Sequence, residues 1–173
     1  MFRTVKRDGQ EIIYYITPKK NKTEHEVITG PMDELCYPIR EDVSAMISCL
    51  GEGEQSKEST RDGKPFLSFS TQDFAPITTW QYDDSIEFIK KHIKDGDVQV
   101  ICEEGYSRSV SIALAYLMST GMGYEKAIKN FGHGLPSCLV HQWGLVGYAH
   151  KKGYIDDKKY KSEMAKINKA RGS

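Results

Sequence analysis

Cys102 and Arg108 stand six positions apart, with Gly105 between them and Ser109 directly after the arginine. Residues of these types at this spacing can build a site for a phosphate-sized oxyanion. Gly105 permits the positive φ that a tight cradle of backbone N–H groups needs. A helix starting near Arg108 would add the positive end of its dipole. Arg108 can clamp two oxygens with its planar guanidinium. The same field is expected to lower the pKa of Cys102 below the roughly 8.5 of a free thiol, so that its thiolate becomes a nucleophile. Ser109 can donate a hydrogen bond to the sulfur and help it leave in a second step. Glu103, Glu104, Gly105, Tyr106 and Ser107 complete the turn and, with Arg108, are the candidate phosphate-binding residues. Glu103 and Glu104 are expected to point outward, with Glu104 bracing the Arg108 guanidinium. Transfer of a phosphoryl group to sulfur then requires an acid for the leaving oxygen. Asp73, in a loop beside Phe74, Ala75 and Pro76, is the leading candidate. Asp83 and Asp84 are alternatives that read as first-turn helix charges.

The elements around this turn must hold it in place. Residues 98–101 form a short apolar strand leading into Cys102. Residues 109–120 read as a helix apolar almost all round, which belongs in a core. Residues 43–50 read as a buried strand, and 66–70 alternate with period two. Tyr82, Ile86, Ile89 and Ile93 fall on one stripe of a helix that starts at Thr79, capped by Thr78 or Thr79. Further helices are expected over 124–131, 140–152 and 155–170. Residues 1–30 read as a β-hairpin, with strands at 11–16 and 23–29 around a polar turn at 18–22. Residues 32–39 read as another short strand, and the polar, glycine-punctuated run 51–64 as a flexible loop. Alternation of strand and helix predicts an α/β fold: a central mixed, mostly parallel twisted sheet flanked by helices, with an N-terminal hairpin. In such sheets ligands bind outside the carboxyl ends of strands, where the Cys102 turn lies. The organisation expected is a hairpin extension over 1–30, a catalytic domain over 31–153 and a basic helix or tail over 154–173. That last stretch reads as a solvated face, with a basic docking surface as the alternative.

The chain has 173 residues, with 24 Lys+Arg against 24 Asp+Glu. Zero net charge argues against a general nucleic-acid or membrane binder. No apolar run reaches the roughly 18 residues of a membrane span, and the first residues carry no signal-peptide core. Cytoplasmic localisation is therefore expected. Cys36, Cys49, Cys102 and Cys138 are scattered and read as reduced thiols. Cys49 reads as a small core residue, Cys138 as structural, and Trp143 as core. The five histidines show no metal-ligand spacing, so no metal and no cofactor is expected.

The turn Cys102–Ser109 and the apolar helix after it resemble the small dual-specificity members of the cysteine-based protein tyrosine phosphatase superfamily. The family pattern His-Cys-x-x-Gly-x-x-Arg-Ser is matched at Cys102, Gly105, Arg108 and Ser109, and Asp73 lies 29 positions before Cys102, near the family's general acid. The resemblance covers about residues 38–130, more weakly 136–153. It implies hydrolysis of phosphotyrosine, with phosphoserine and phosphothreonine as further substrates, through a cysteinyl-phosphate intermediate and without a metal. It implies a phosphoprotein or phosphopeptide partner and a monomer or weak dimer. The absence of lysines from the turn favours a phosphoprotein over a phosphoinositide, and ranks an RNA 5′-triphosphate lower still. The sequence departs from the pattern at Ile101, where the family has histidine. That departure and the paired glutamates keep a phosphate-binding pseudophosphatase as one alternative. A rhodanese-type sulfurtransferase or arsenate reductase is another.

Overall fold

The computed structural model describes residues 2–18, 25–72 and 74–172. Seven strands form one sheet in the order β1-β2-β3-β7-β4-β6-β5. The strands are β1 (Phe2–Arg7), β2 (Gln10–Ile16), β3 (Val27–Gly30), β4 (Val43–Ser48), β5 (Lys57–Arg61), β6 (Lys64–Ser68) and β7 (Asp97–Ile101). The four inner strands, β3, β7, β4 and β6, run parallel. Antiparallel strands close both edges, β1 and β2 on one side and β5 on the other.

Period-two alternation sorts the inner strands between two cores. Ala45 and Ile47 of β4 and Val98 and Val100 of β7 join the larger cluster. That cluster also takes in Ile86 and Ile89 of α1 (Thr79–His92), Val110 and Ile112 to Ala115 of α2 (Arg108–Ser119) and Phe131 of α3 (Tyr124–Phe131). Leu145 of α4 (Leu139–Lys151) and Ile167 of α5 (Asp157–Arg171) complete it. Met46 and Ile101 point to the opposite face, into a smaller cluster with Tyr15, Ile28, Ile39 and Val43. Leu35 and Tyr37 pack on that cluster, so the segment after β3 covers the face the helices leave. The strand–helix alternation read over 43–120 is present, and the apolar stripe of α1 is buried at Tyr82, Ile86 and Ile89. Its start carries a capping box between Thr78 and Gln81.

Three expected elements differ. The N-terminal hairpin is β1–β2, turning at Asp8-Gly9, both with positive φ. The expected 11–16 strand is its second arm, and β3 pairs with it at Ile16 and Thr29. The expected turn lies mostly outside the described residues. Residues 32–36 form a short 3-10 turn, not a strand. Pro31 lacks the N–H a ladder needs, and Asp33 and Glu34 suit a first helical turn. The expected loop over 51–64 contains β5 and a second Asp-Gly hairpin turn, Asp62-Gly63. β5 is an edge strand whose residues are almost all exposed, so it carries no apolar alternation to read.

Candidate active site

β7 is the middle strand of the seven, and the turn from Cys102 to Ser107 joins its carboxyl end to α2. Backbone bonds fix the start of the turn. The Cys102 N–H donates to the Gly30 carbonyl at 3.2 Å, and the Met32 N–H donates to the Glu103 carbonyl at 3.0 Å. Gly105 has φ +79°, and a Cβ there would stand 2.9 Å from the Gly30 carbonyl carbon. Neither the conformation nor the space admits a side chain.

The end of the turn is held by side chains. The Ser107 hydroxyl accepts from the Cys138 N–H at 3.1 Å and lies 2.7 Å from His141 Nδ1. Ser107 is the N-cap residue of α2, yet its side chain makes no capping bond. The hydroxyl that ordinarily satisfies a helix start is turned toward α4 instead. The first amides of α2, which have no intrahelical acceptor by helix geometry, are left to another acceptor.

Cys102 and Arg108 are both almost fully buried, and both line one cavity of about 390 Å³. The turn contributes Glu103, Glu104, Tyr106 and Ser107 to the same wall, and Phe74, Ser137, Cys138 and His141 close it from other elements. Ser109 Oγ lies 3.2 Å from Cys102 Sγ, behind the cavity. Arg108 donates to the Thr71 carbonyl at 2.6 Å. Thr71 is in turn bound to Gln81 of the α1 cap, at 3.2 Å. The start of α1 thereby holds the segment before Phe74 against the arginine. Arg108 also pairs with the Glu103 carboxylate at 3.4 Å. The Glu103 side chain is half exposed, so this pair contributes at most about 1 kcal/mol, and a bound dianion can displace it.

With that geometry in place, solved structures supply the comparison. No family model matches the sequence, and no curated protein does. Crystal structures of Tk-PTP in its active form, a mouse putative dual specificity phosphatase and PTPMT1 superpose with TM-scores of 0.53, 0.52 and 0.51. Their identities to this chain are 17%, 17% and 20%. The superpositions cover 74%, 76% and 88% of this chain and 92%, 88% and 99% of those chains. This is the fold of the tyrosine and dual-specificity phosphatases.

On that phosphatase fold, the residues singled out by spacing converge. Cys102, Glu103, Glu104, Tyr106, Ser107 and Arg108 share the cavity wall, Gly105 shapes it from behind, and Ser109 backs the sulfur. Asp73 lies outside the described residues. Its alternatives do not line the cavity: Asp83 accepts from the Tyr148 hydroxyl and from Lys152, each at 2.8 Å, and Asp84 borders a separate groove. One expected detail is corrected: Glu103, not Glu104, meets Arg108. Glu103 is five residues back from Arg108, across the base of the turn, where its carboxylate reaches the guanidinium. Trp143 is likewise corrected from core to surface, at 40% exposure, because it falls on the outer side of α4. Cys138, read as structural, borders the cavity.

Spacing did not reveal His141, Ser137 or Phe74, all of which line the cavity. They come from segments 28 or more residues from Cys102 in sequence, brought in by packing. Tyr106, besides lining the wall, stacks on His133 with centroids 5.9 Å apart. The four cysteines are free thiols. Burial, then the charge of nearby Cys102, push the Cys49 thiol well above its ordinary pKa, so it stays protonated at neutral pH. Among the described residues no cluster of potential metal ligands occurs, and no helix is long and apolar enough to cross a membrane.

Proposed function

We propose that this protein is a cysteine-dependent protein phosphatase. The observation that carries the reading is that Cys102 and Arg108 line one cavity at a helix start whose own cap residue leaves it uncapped. An oxyanion in that cavity meets the guanidinium and the positive end of α2 together.

In the first step Cys102 Sγ forms a bond to phosphorus as the ester P–O bond breaks. Asp73 gives its proton to the leaving oxygen. In the second, water attacks phosphorus, Asp73 takes its proton, and the S–P bond breaks with the electron pair returning to sulfur. The Ser109 hydroxyl, 3.2 Å away, donates to that departing thiolate. The charge spread over the equatorial oxygens is met by Arg108 and by backbone dipoles, with no metal in the scheme.

The substrate class proposed is a phosphoprotein, with phosphotyrosine first and phosphoserine or phosphothreonine also accepted. Among the described lining residues Arg108 is the only Lys or Arg, and Glu103 and Glu104 also line the cavity. Such a mouth disfavours polyanions such as inositol polyphosphates or RNA 5′-triphosphates, and favours a phosphorylated residue with basic neighbours. Thiolate chemistry of this kind requires a reducing compartment, and the cytoplasm is the proposed one. The Glu103–Arg108 pair supports a second reading, a pseudophosphatase whose arginine is already satisfied.

Hydrolysis of an aryl phosphate and of phosphotyrosine peptides with lysine or glutamate flanks separates these readings. Wild type is expected to turn over all three, the lysine-flanked peptide fastest. Cys102→Ser is expected to lose activity almost completely. Asp73→Asn is expected to lose about 10²–10⁴-fold in kcat, the usual contribution of a positioned acid. No turnover of any substrate by folded wild type would leave the pseudophosphatase reading.

A further inference from the structure

On the side of the sheet away from the helices, the Glu34 carboxylate is fully buried beneath the cysteine turn. Arg7, the last residue of β1, grips it with two bonds: Nε to Oε1 at 3.2 Å and Nη2 to Oε2 at 2.8 Å. Gln99 of β7 adds a third, donating to Oε2 at 3.2 Å. The Arg7 guanidinium also lies over the Tyr37 ring, 5.3 Å from its centroid. Glu34 therefore ties β1, β7 and the 3-10 turn Met32–Cys36 together at one buried point.

That 3-10 turn is the floor of the first half of the cysteine turn. Met32 donates to the Glu103 carbonyl, and the Gly30 carbonyl accepts from Cys102. Gly105 packs on Gly30 and Pro31 with no room for a methyl group. Gly30 in turn lies against the buried ring of Tyr15, where a Cβ would meet Cε1 at 2.8 Å. The side chain preceding the nucleophile, Ile101, enters an apolar cluster and offers no polar support. The Arg7–Glu34 pair is the polar tie between this floor and the N-terminal hairpin, while on the other side Arg61 of β5 donates to the Leu35 carbonyl.

We propose that Arg7 and Glu34 are positioning residues for the Cys102 nucleophile, acting through the 30–36 segment. A carboxylate this deeply buried is a poor choice for stability alone, since a well-packed apolar pair does as well or better. What a bidentate ion pair adds is a fixed direction and distance. Fixing the floor fixes the Cys102 and Glu103 backbone, and with it the geometry in which the thiolate meets the oxyanion cradle. The N-terminal hairpin is thus part of the catalytic apparatus, although it touches neither sulfur nor substrate. This inference rests on the phosphatase reading for its kinetic readout, and a second readout is independent of turnover.

The test compares wild type with the double variant Arg7→Met/Glu34→Met, which leaves no buried charge unpaired, and with Arg7→Lys, which keeps the charge but cannot form the fork. A control double variant, Lys159→Met/Glu163→Met, removes a partly buried Lys–Glu ion pair on α5. Three quantities are measured: thermal unfolding, aryl-phosphate kcat/KM, and the pH midpoint of Cys102 alkylation. The expected result is a folded Arg7→Met/Glu34→Met protein with kcat/KM down about tenfold, as displacement of a catalytic group gives, and an alkylation midpoint moved upward. Arg7→Lys is expected to move both in the same direction by less. The control is expected to change thermal stability only. Should Arg7→Met/Glu34→Met fail to fold, Arg7→Lys decides: wild-type kcat/KM and alkylation midpoint in a folded Arg7→Lys protein overturn the proposal. So does an Arg7→Met/Glu34→Met protein that is folded and unchanged in both. If wild type itself hydrolyses nothing, the phosphatase reading fails while the alkylation midpoint still tests the positioning role.

Discussion

The cysteine turn is held on two sides by different kinds of interaction. From Cys102 to Gly105 the partners are backbone atoms of residues 30–32, and a glycine closes the contact. From Tyr106 to Ser107 the turn is tied to residues 137–141. There a serine hydroxyl meets an imidazole and an amide, and the Tyr106 carbonyl accepts from the Ser137 N–H at 3.1 Å. The first side carries Cys102 and has no adjustable side-chain atom at the contact. The second carries the arginine's neighbour and is held in part by side-chain groups, the Ser107 hydroxyl and the His141 imidazole. The first half is held by main chain, and the second by a main-chain bond together with side-chain contacts.

The sharpest way to break that contrast is Gly105→Ala. The added methyl would stand 2.9 Å from Gly30 backbone and force φ +79° on a residue that resists it. Strain of about 1–3 kcal/mol and a displaced Cys102 are expected together. The readouts are denaturant unfolding and aryl-phosphate turnover, with activity falling about 10²-fold or more. Wild-type turnover in this variant would show that the first side is not rigid.

The second side is expected to be softer. Ser107→Ala and His141→Ala each remove one partner of the 2.7 Å contact, and each is expected to cost about 1 kcal/mol of stability. In a double-mutant cycle the two losses should be less than additive, since both remove the Ser107–His141 contact, while Ser107→Ala alone also loses the Cys138 N–H bond. Turnover in the single variants is expected to fall several-fold less than in Gly105→Ala. Strictly additive effects would mean that Ser107 and His141 act independently.

The same contrast explains what the sequence made legible. The Cys102–Ser109 turn could be read because its candidate residues are local: cysteine, glycine, arginine and hydroxyl fall within eight consecutive residues, ahead of an apolar helix. α1 could be read because Tyr82, Ile86 and Ile89 form a buried stripe behind a Thr78 cap. The Asp8-Gly9 and Asp62-Gly63 turns carry a strong hairpin signal. Their flanking strands obscure it, since β5 is almost wholly exposed and lacks an apolar face. The supports of the turn were hidden for another reason. Arg7, Glu34 and His141 are ordinary polar residues in sequence, and only packing reveals that Glu34 and His141 are buried beside the cysteine turn. Glu103 and Glu104 are neighbours with the same side chain, so which one reaches Arg108 depends on backbone geometry that spacing does not specify.

The central claim is that Cys102 becomes covalently phosphorylated during turnover. Rapid acid quench of the protein with an aryl phosphate, followed by mass mapping of the peptide containing Cys102, tests it directly. The expected result is one added phosphoryl group on Cys102 in wild type, a larger trapped fraction in Asp73→Asn if breakdown slows more than formation, and none in Cys102→Ser. Continued hydrolysis by Cys102→Ser, or a phosphoryl group found on a different residue, would contradict it.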